Sequence, residues 1–447
     1  MKRHIKVVLA LFAIACIPVW FGGKGLFAFL SNDDMMNLYG YWNKPVAETW
    51  QANVLYFSAF YRPLGGLFYL GMHSAFGLNP LPYRIGCFVL LLLNLVLVYR
   101  LALVLTASKE IALLATLFGS HHGGYADYYY NTGVIYDLLC YTFFVLGLYW
   151  HVSAKRGPLW VIFAFICSLN SKEMAVVFPA VILLYELVFH GINWKRLRLV
   201  PVLGLMLIPY ILFKLSAASP FAGVGNYKLN LSAAQYLNNS LHYLNLLFYQ
   251  SLGWATPFLL ASVVASMFAL ALLWRSKVLL LCCLFVLITP LPIIFIDPRG
   301  SIFVLYLPMI GYTLFVATVL VLLRDKLLGA ARLRPLLFAS CLALFVWIHA
   351  RNLPAMQDDP KIRSTTGQLT AMHLQPKRGA RLLFLDDPFD KEEFTLFFIC
   401  RLLYNDHEME PDRLKVLGKM PPEDEMKAYQ YILAYDKTSG LFRLAGR

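Results

Sequence analysis

Residues 82–106 read PYRIGCFVLLLLNLVLVYRLALVLT. A helix needs about 20 mostly apolar residues to cross the hydrocarbon of a bilayer, and this run supplies them. Ten more apolar runs lie near residues 5–22, 110–120, 134–152, 158–170, 173–190, 198–217, 254–274, 278–296, 301–323 and 334–353. The pattern predicts an all-α polytopic membrane protein with about eleven transmembrane helices. Composition agrees: of 447 residues, 59% are hydrophobic and only 14% charged, against roughly 25% charged in a soluble domain.

The net charge of +14 reads as topology, because cytoplasmic loops of membrane proteins collect lysine and arginine. Lys2, Arg3 and Lys6 precede the first run and put the N-terminus in the cytoplasm. Alternation then places Lys109, Lys155-Arg156, Lys195-Arg196, Arg275, Lys277, Arg324 and Lys326 on that same side. No basic face on a soluble domain is visible, so nucleic acid is not an expected partner. The N-terminal run lacks a small-x-small cleavage site and reads as an uncleaved span. Eight cysteines occur without a CxxC spacing, and they read as small buried hydrophobes.

The loops on the opposite side differ in character. The first, residues 23–81, holds Asp33, Asp34 and Tyr61-Arg62-Pro63-Leu64. Others hold HHGGYADYYYNTG (residues 121–133), Ser171-Lys172-Glu173 and Asp297-Pro298-Arg299-Gly300. The membrane domain is expected over residues 1–353, a linker over 354–375 and a small soluble α/β domain over 376–447. In that domain ARLLFLDD and LKVLG read as strands. DKEEFTLFFICRLLYND reads as a helix, and AYQYILAYDKTSGLFRL as a hairpin.

Several of these loop residues could carry chemistry. Ser31, Asn32 or Asp33 could cap a helix running MMNLYGYW, or one of Asp33 and Asp34 could be a general base whose pKa the apolar surroundings raise. Arg62 could snorkel at the interface or clamp a phosphate. His121, His122 and Asp127 invite a metal, but adjacent histidines do not face one ion on a regular helix, so hydrogen bonding is the simpler reading. Lys172 could pair with Glu173 or bind an anionic donor. Arg299 could pair with Asp297 or reach an anionic head group. Asp33, Asp34, Arg62, Asp127, Lys172 and Arg299 converge from four loops on one face. Acids beside cations suit transfer from a lipid phosphate. A transporter would instead place its charges near the bilayer midplane.

These residues carry a resemblance. The chain is similar to GT-C membrane glycosyltransferases that use a polyprenyl-phosphate-linked sugar, and within them to the protein O-mannosyltransferase-like branch. Asp33-Asp34 opens the first external loop, where those enzymes keep a catalytic acid. Tyr61-Arg62-Pro63-Leu64, Phe76-Gly77-Leu78-Asn79-Pro80 and Tyr83-Arg84 follow the branch's first run, with Arg84 where histidine is usual. His122 to Asp137 follows the next, with Gly123 for proline and Asp127 for glutamate; Asp137-Leu138-Leu139 is retained. Ser171-Lys172-Glu173, Pro179 and Leu184-Tyr185-Glu186 follow a third, and Leu305-Tyr306-Leu307-Pro308-Met309-Ile310-Gly311 a fourth. Phe303 stands where that last run has arginine. The resemblance covers roughly residues 25–315, and no tetratricopeptide repeats follow it.

The resemblance implies a GT-C fold and transfer of a sugar from polyprenyl phosphate to a hydroxyl acceptor. Asp33 is the preferred base, Asp34 the alternative, and Asp127 a second acid that orients acceptor or sugar. Arg62, Lys172 and Arg299 neutralise the phosphate. Tyr61, His122, Asp137 and Glu173 support them. No cofactor is expected; family members differ on a divalent metal, and no metal signature is visible. The implied partners are the lipid-linked sugar, the hydroxyl acceptor and membrane lipids. The implied location is a bacterial inner membrane, with the C-terminal domain periplasmic. A lipid-sugar flippase or a non-catalytic scaffold of the same fold are the alternatives.

Overall fold

The structure is a computed structural model that describes residues 2–58, 60–216, 229–249, 256–298, 302–328, 333–353 and 358–446. Seven helical segments among them are long and apolar enough to cross a membrane: Ile5–Phe27, Pro80–Thr106, Thr132–Ser153, Glu173–His190, Trp194–Lys214, Lys277–Ile294 and Arg334–Arg351. They fit a multi-pass membrane protein. The other four expected spans are helical but shorter: Lys109–Gly119, Pro158–Leu169, Pro257–Leu273 and Met309–Leu323. At 1.5 Å per residue they reach only about 17–26 Å, short of the roughly 30 Å hydrocarbon core.

The first membrane helix is α1 (Lys2–Gly22). Behind it Ser31 opens α2 (Asn32–Tyr41) with a reciprocal cap. Ser31 Oγ accepts from the Asp34 N–H at 3.1 Å, and the Asp34 carboxylate accepts from the Ser31 N–H at 2.8 Å. Two orphan donors of the first turn are thus satisfied at once. Pro63 starts the helix Pro63–Phe76, and Asn79 caps Pro80–Thr106 through Leu81 N. Pro80–Thr106 packs along Ile135–Ser153, which packs along Pro158–Leu169. The interior they share is rich in tyrosine: Tyr69, Tyr83, Tyr125, Tyr128, Tyr129 and Tyr136 are all fully buried.

The C-terminal part carries a four-stranded sheet in the order β2-β1-β3-β4. Its strands are β1 (Arg381–Phe384), β2 (Glu410–Arg413), β3 (Tyr429–Asp436) and β4 (Leu441–Gly446). β1 lies parallel to β2 and β3, and β3 pairs antiparallel with β4. The hairpin turns where expected, with Asp436 accepting from Thr438 N–H and Ser439 Oγ, and Gly440 taking φ +69°. The helix expected from DKEEF onward is confined to Thr395–Leu403.

LKVLG is not a strand. The strand precedes it and ends at Arg413, whose guanidinium forks onto the buried Asp387 carboxylate at 2.8 and 2.9 Å. Leu414–Leu417 then makes one helical turn, closed by Gly418 at φ +76°, a position that favours glycine. Nor is 354–375 simply a linker, because it contains the helix Pro360–Ala371. That helix belongs to the sheet: Gln368 accepts from Phe442 N–H at 2.6 Å and donates to Gly440 O at 2.9 Å.

This domain rests on α2. Thr395 Oγ1 donates to Asn32 Oδ1 at 2.7 Å, and Arg401 Nη1 donates to the Tyr39 hydroxyl at 2.7 Å. The Tyr39 ring lies against Phe397 and Phe398. Two further ties reach the end of the first membrane segment: Phe29 N–H donates to Asp358 at 2.9 Å, and Arg363 donates to Phe27 O at 2.8 Å. Thr395→Val is expected to remove about 1 kcal/mol. Amide hydrogen exchange in α2 should then run about fivefold faster in the detergent-solubilised protein; unchanged exchange would show that the contact carries no load.

Candidate active site

The two aspartates at the start of α2 have different surroundings. Asp34 is completely buried. Its carboxylate takes four bonds: Ser31 N–H at 2.8 Å, Arg84 Nη2 at 2.9 Å, Thr132 N–H at 2.5 Å and Gly133 N–H at 3.1 Å. Arg84 is itself 1% exposed and also holds Phe29 O at 2.7 Å. Asp34 is therefore out of reach of a substrate, which corrects its place as the alternative base. It locks the start of α2 to residues 132–133. Gly133 suits that closeness, since a Cβ there would come within 2.8 Å of Asn131 Oδ1 and 3.2 Å of Asn37 Nδ2.

Asp33 points the other way and is exposed. Its Oδ2 accepts from Asn131 Nδ2 at 3.0 Å, and Asn131 is held in turn by Gly133 N–H at 2.7 Å. The carboxylate is open to water on one side yet walled by protein on the others. Burial raises its pKa, the Asn131 bond opposes that, and the negative charges of Asp34 and Asp127 add to it. A carboxylate with a raised pKa is a stronger base than an ordinary one, which suits proton abstraction. Asp127 stands half-buried on the short helix Ala126–Tyr130, within electrostatic reach of Asp33.

Arg62 and Lys172 meet in a second cluster. Arg62 sits at φ +47° and ψ +61°, immediately before Pro63, a sparsely populated conformation for a non-glycine residue. Its guanidinium forks onto Glu173 at 3.1 and 2.8 Å and covers the rings of Tyr61 and Tyr136 at 4.5 and 5.2 Å. Lys172 donates to Asp137 at 2.5 Å. Asp137 lies within electrostatic range of Arg62, and Lys172 within range of Glu173, so the two pairs form one network.

Lys214 joins them. It donates to Phe60 O and lies within range of both Arg62 and Glu173. Three cations thus face two carboxylates. Lys214 lies within the apolar run 198–217, and a charge near the end of such a helix faces a partner or a cavity.

The two clusters are connected by residues that carry no motif. Asn37 Nδ2 donates to Asp33 O at 2.8 Å, while Asn37 Oδ1 accepts from the Tyr136 hydroxyl at 3.1 Å. The Tyr136 ring then lies beneath the Arg62 guanidinium. Asp33 and the cations therefore share one frame built from α2 and Ile135–Ser153.

His122 is structural. Its Nδ1 accepts from Gly124 N–H at 3.0 Å, which leaves Nε2–H to donate to Leu247 O at 3.1 Å. The ring stacks on Tyr249 at 4.3 Å. Burial pushes its pKa down to about 4, only partly offset by the Leu247 bond, so it stays neutral. With both nitrogens used it has no lone pair for a metal. Among the described residues no three histidine, cysteine or acidic side chains are placed to hold one. Tyr306, from the Leu-Tyr-Leu-Pro run, stacks on Tyr141 at 4.1 Å and leans on Tyr128 at 4.8 Å. Arg299 lies outside the described residues. No protein-family model matches the chain, and no curated protein matches it.

Proposed function

We propose that the chain is a membrane glycosyltransferase of the GT-C type, with about eleven passes, moving a sugar from a polyprenyl-phosphate donor to a hydroxyl acceptor. Its place is the external face of a bacterial inner membrane. The observation that carries this reading is that α2, which presents the exposed, pKa-raised Asp33 carboxylate, is tied through Asn37, bonded to the Asp33 main-chain carbonyl, and Tyr136 to a cluster with a cation in excess. Asp33 takes the proton of the acceptor hydroxyl as its oxygen bonds to the anomeric carbon. The bond from that carbon to the phosphate oxygen breaks, and its electron pair leaves on the lipid phosphate. Arg62, Lys172 and Lys214 stabilise the charge that develops there. Arg299, if it reaches the same phosphate, adds to them, and Asp127 orients the acceptor or the sugar.

Glu173 holds the place a phosphate would take on the Arg62 fork. Its side chain is 47% exposed against 19% for Arg62, and a phosphate binding there would have to displace it from the fork. Pairing of both basic side chains with carboxylates equally suits a non-catalytic scaffold, and that alternative predicts no transfer. Incubating the purified protein in nanodiscs with polyprenyl-phosphate sugars and a panel of acceptors decides between them. Cleavage of the sugar–phosphate bond supports the enzyme, and its absence across the panel refutes it. Arg62→Lys keeps the charge but loses the fork. The donor KM should rise about 10–100-fold, as expected for losing one charge-assisted bond; an unchanged donor KM would remove Arg62 from the phosphate site.

A further inference from the structure

A cleft of about 520 Å³ opens where the C-terminal domain meets the end of α2. Trp42 and Asn43 form one wall, and Arg378, Tyr404, Asn405 and His407 much of the other. Its size is that of a ligand site, and junctions between domains are where such sites concentrate. The mechanism above uses none of these residues.

The lining specifies the ligand. Asp406 at its base is already bound to Gly379 N–H at 2.7 Å and Glu408 N–H at 2.9 Å. Arg378 is paired with Glu408 at 2.9 Å. Among the lining residues the fixed charges are one of each sign, Arg378 and Asp406, which argues against an ion of either sign. What remains are two carboxamides, an imidazole and two flat aromatic rings. Neutral donors and acceptors beside aromatic faces suit a ligand with many hydroxyls and apolar ring faces.

Position adds to this. Trp42 caps the C-terminal end of α2, nine residues beyond Asp33, about 14 Å along the helix axis. The cleft is also held in place from both sides. Arg401 joins Tyr39 of α2 to Met409 O beside β2, both at 2.7 Å.

We propose that this cleft is an acceptor subsite for a neutral oligosaccharide chain, whose end then reaches Asp33. This rests on the transferase reading for its purpose but not for its binding. The test titrates the full chain in nanodiscs, without donor, with neutral gluco-, manno-, galacto- and N-acetylglucosamine oligosaccharides of four to eight residues, followed by calorimetry. At least one should bind, and Asn43→Ala and His407→Ala, both at exposed positions, should each weaken it about tenfold or more. In transfer assays the same variants should raise the acceptor KM more than they lower kcat. No binding across the panel overturns the proposal, as does binding that neither variant weakens or a charged peptide preferred over every saccharide. Saccharide binding at this cleft without any transfer sinks the transferase reading and leaves the subsite standing.

Discussion

Asp33→Asn is expected to lower kcat by about 10²–10⁴-fold, the range for losing a positioned general base. The protein should fold as before, since the side chain is exposed and its one described side-chain partner is Asn131. The pH profile makes the assignment specific. A base must be ionised to act, so activity should fall as pH drops through the raised pKa of Asp33. The Asn131 bond stabilises the ionised form. Asn131→Ala should therefore raise that pKa further and move the acidic limb of kcat to higher pH. Full transfer by Asp33→Asn, or an acidic limb that ignores Asn131→Ala, would rule Asp33 out as the base.

Asp34→Ala is expected to act on stability instead. It leaves the Arg84 guanidinium buried without its carboxylate and takes the acceptor from three backbone N–H groups. Breaking a buried ion pair by removing one partner costs about 3–5 kcal/mol, a large share of the 5–15 kcal/mol that holds a typical protein together. Arg84→Met should cost a similar amount. The double variant Asp34→Ala/Arg84→Met should recover part of the loss, because the two residues are in contact and do not act independently. Thermal unfolding in detergent reads all three. An Asp34→Ala protein with normal stability and no transfer would return Asp34 to the chemistry.

The contrast between the two aspartates shows what one sequence can and cannot say. Ser31 and Asp34 stand at the spacing of a capping box, so the cap was legible locally. Its partner Arg84 is 50 residues on, and nothing in the residues near Asp34 announces it. The long apolar runs were legible because length and hydropathy are additive along the chain. Four of the runs form helices of 11 to 17 residues, and composition alone does not say whether such a run crosses lipid or packs within protein. Arg62 and Lys172 were legible as charges in a poorly charged chain. That each already holds a carboxylate depends on how distant loops meet: Arg62 and Glu173 are 111 residues apart. The docking of the sheet domain on α2 was invisible for the same reason, with Asn32 and Thr395 separated by 363 residues.

One of those docking ties constrains the whole chain. Phe29 follows the first membrane helix, and Asp358 follows the last; a hydrogen bond joins them. If both of these helices cross the bilayer, their exits share one side of it. A chain that enters its first helix from one side and leaves its last on the other must cross an odd number of times. Seven crossings and eleven both satisfy that parity, whereas eight and ten do not. Any re-assignment of the shorter helices must then add or remove them in pairs. With both helices crossing, the two ends of the described chain would face different compartments whichever way the protein is inserted.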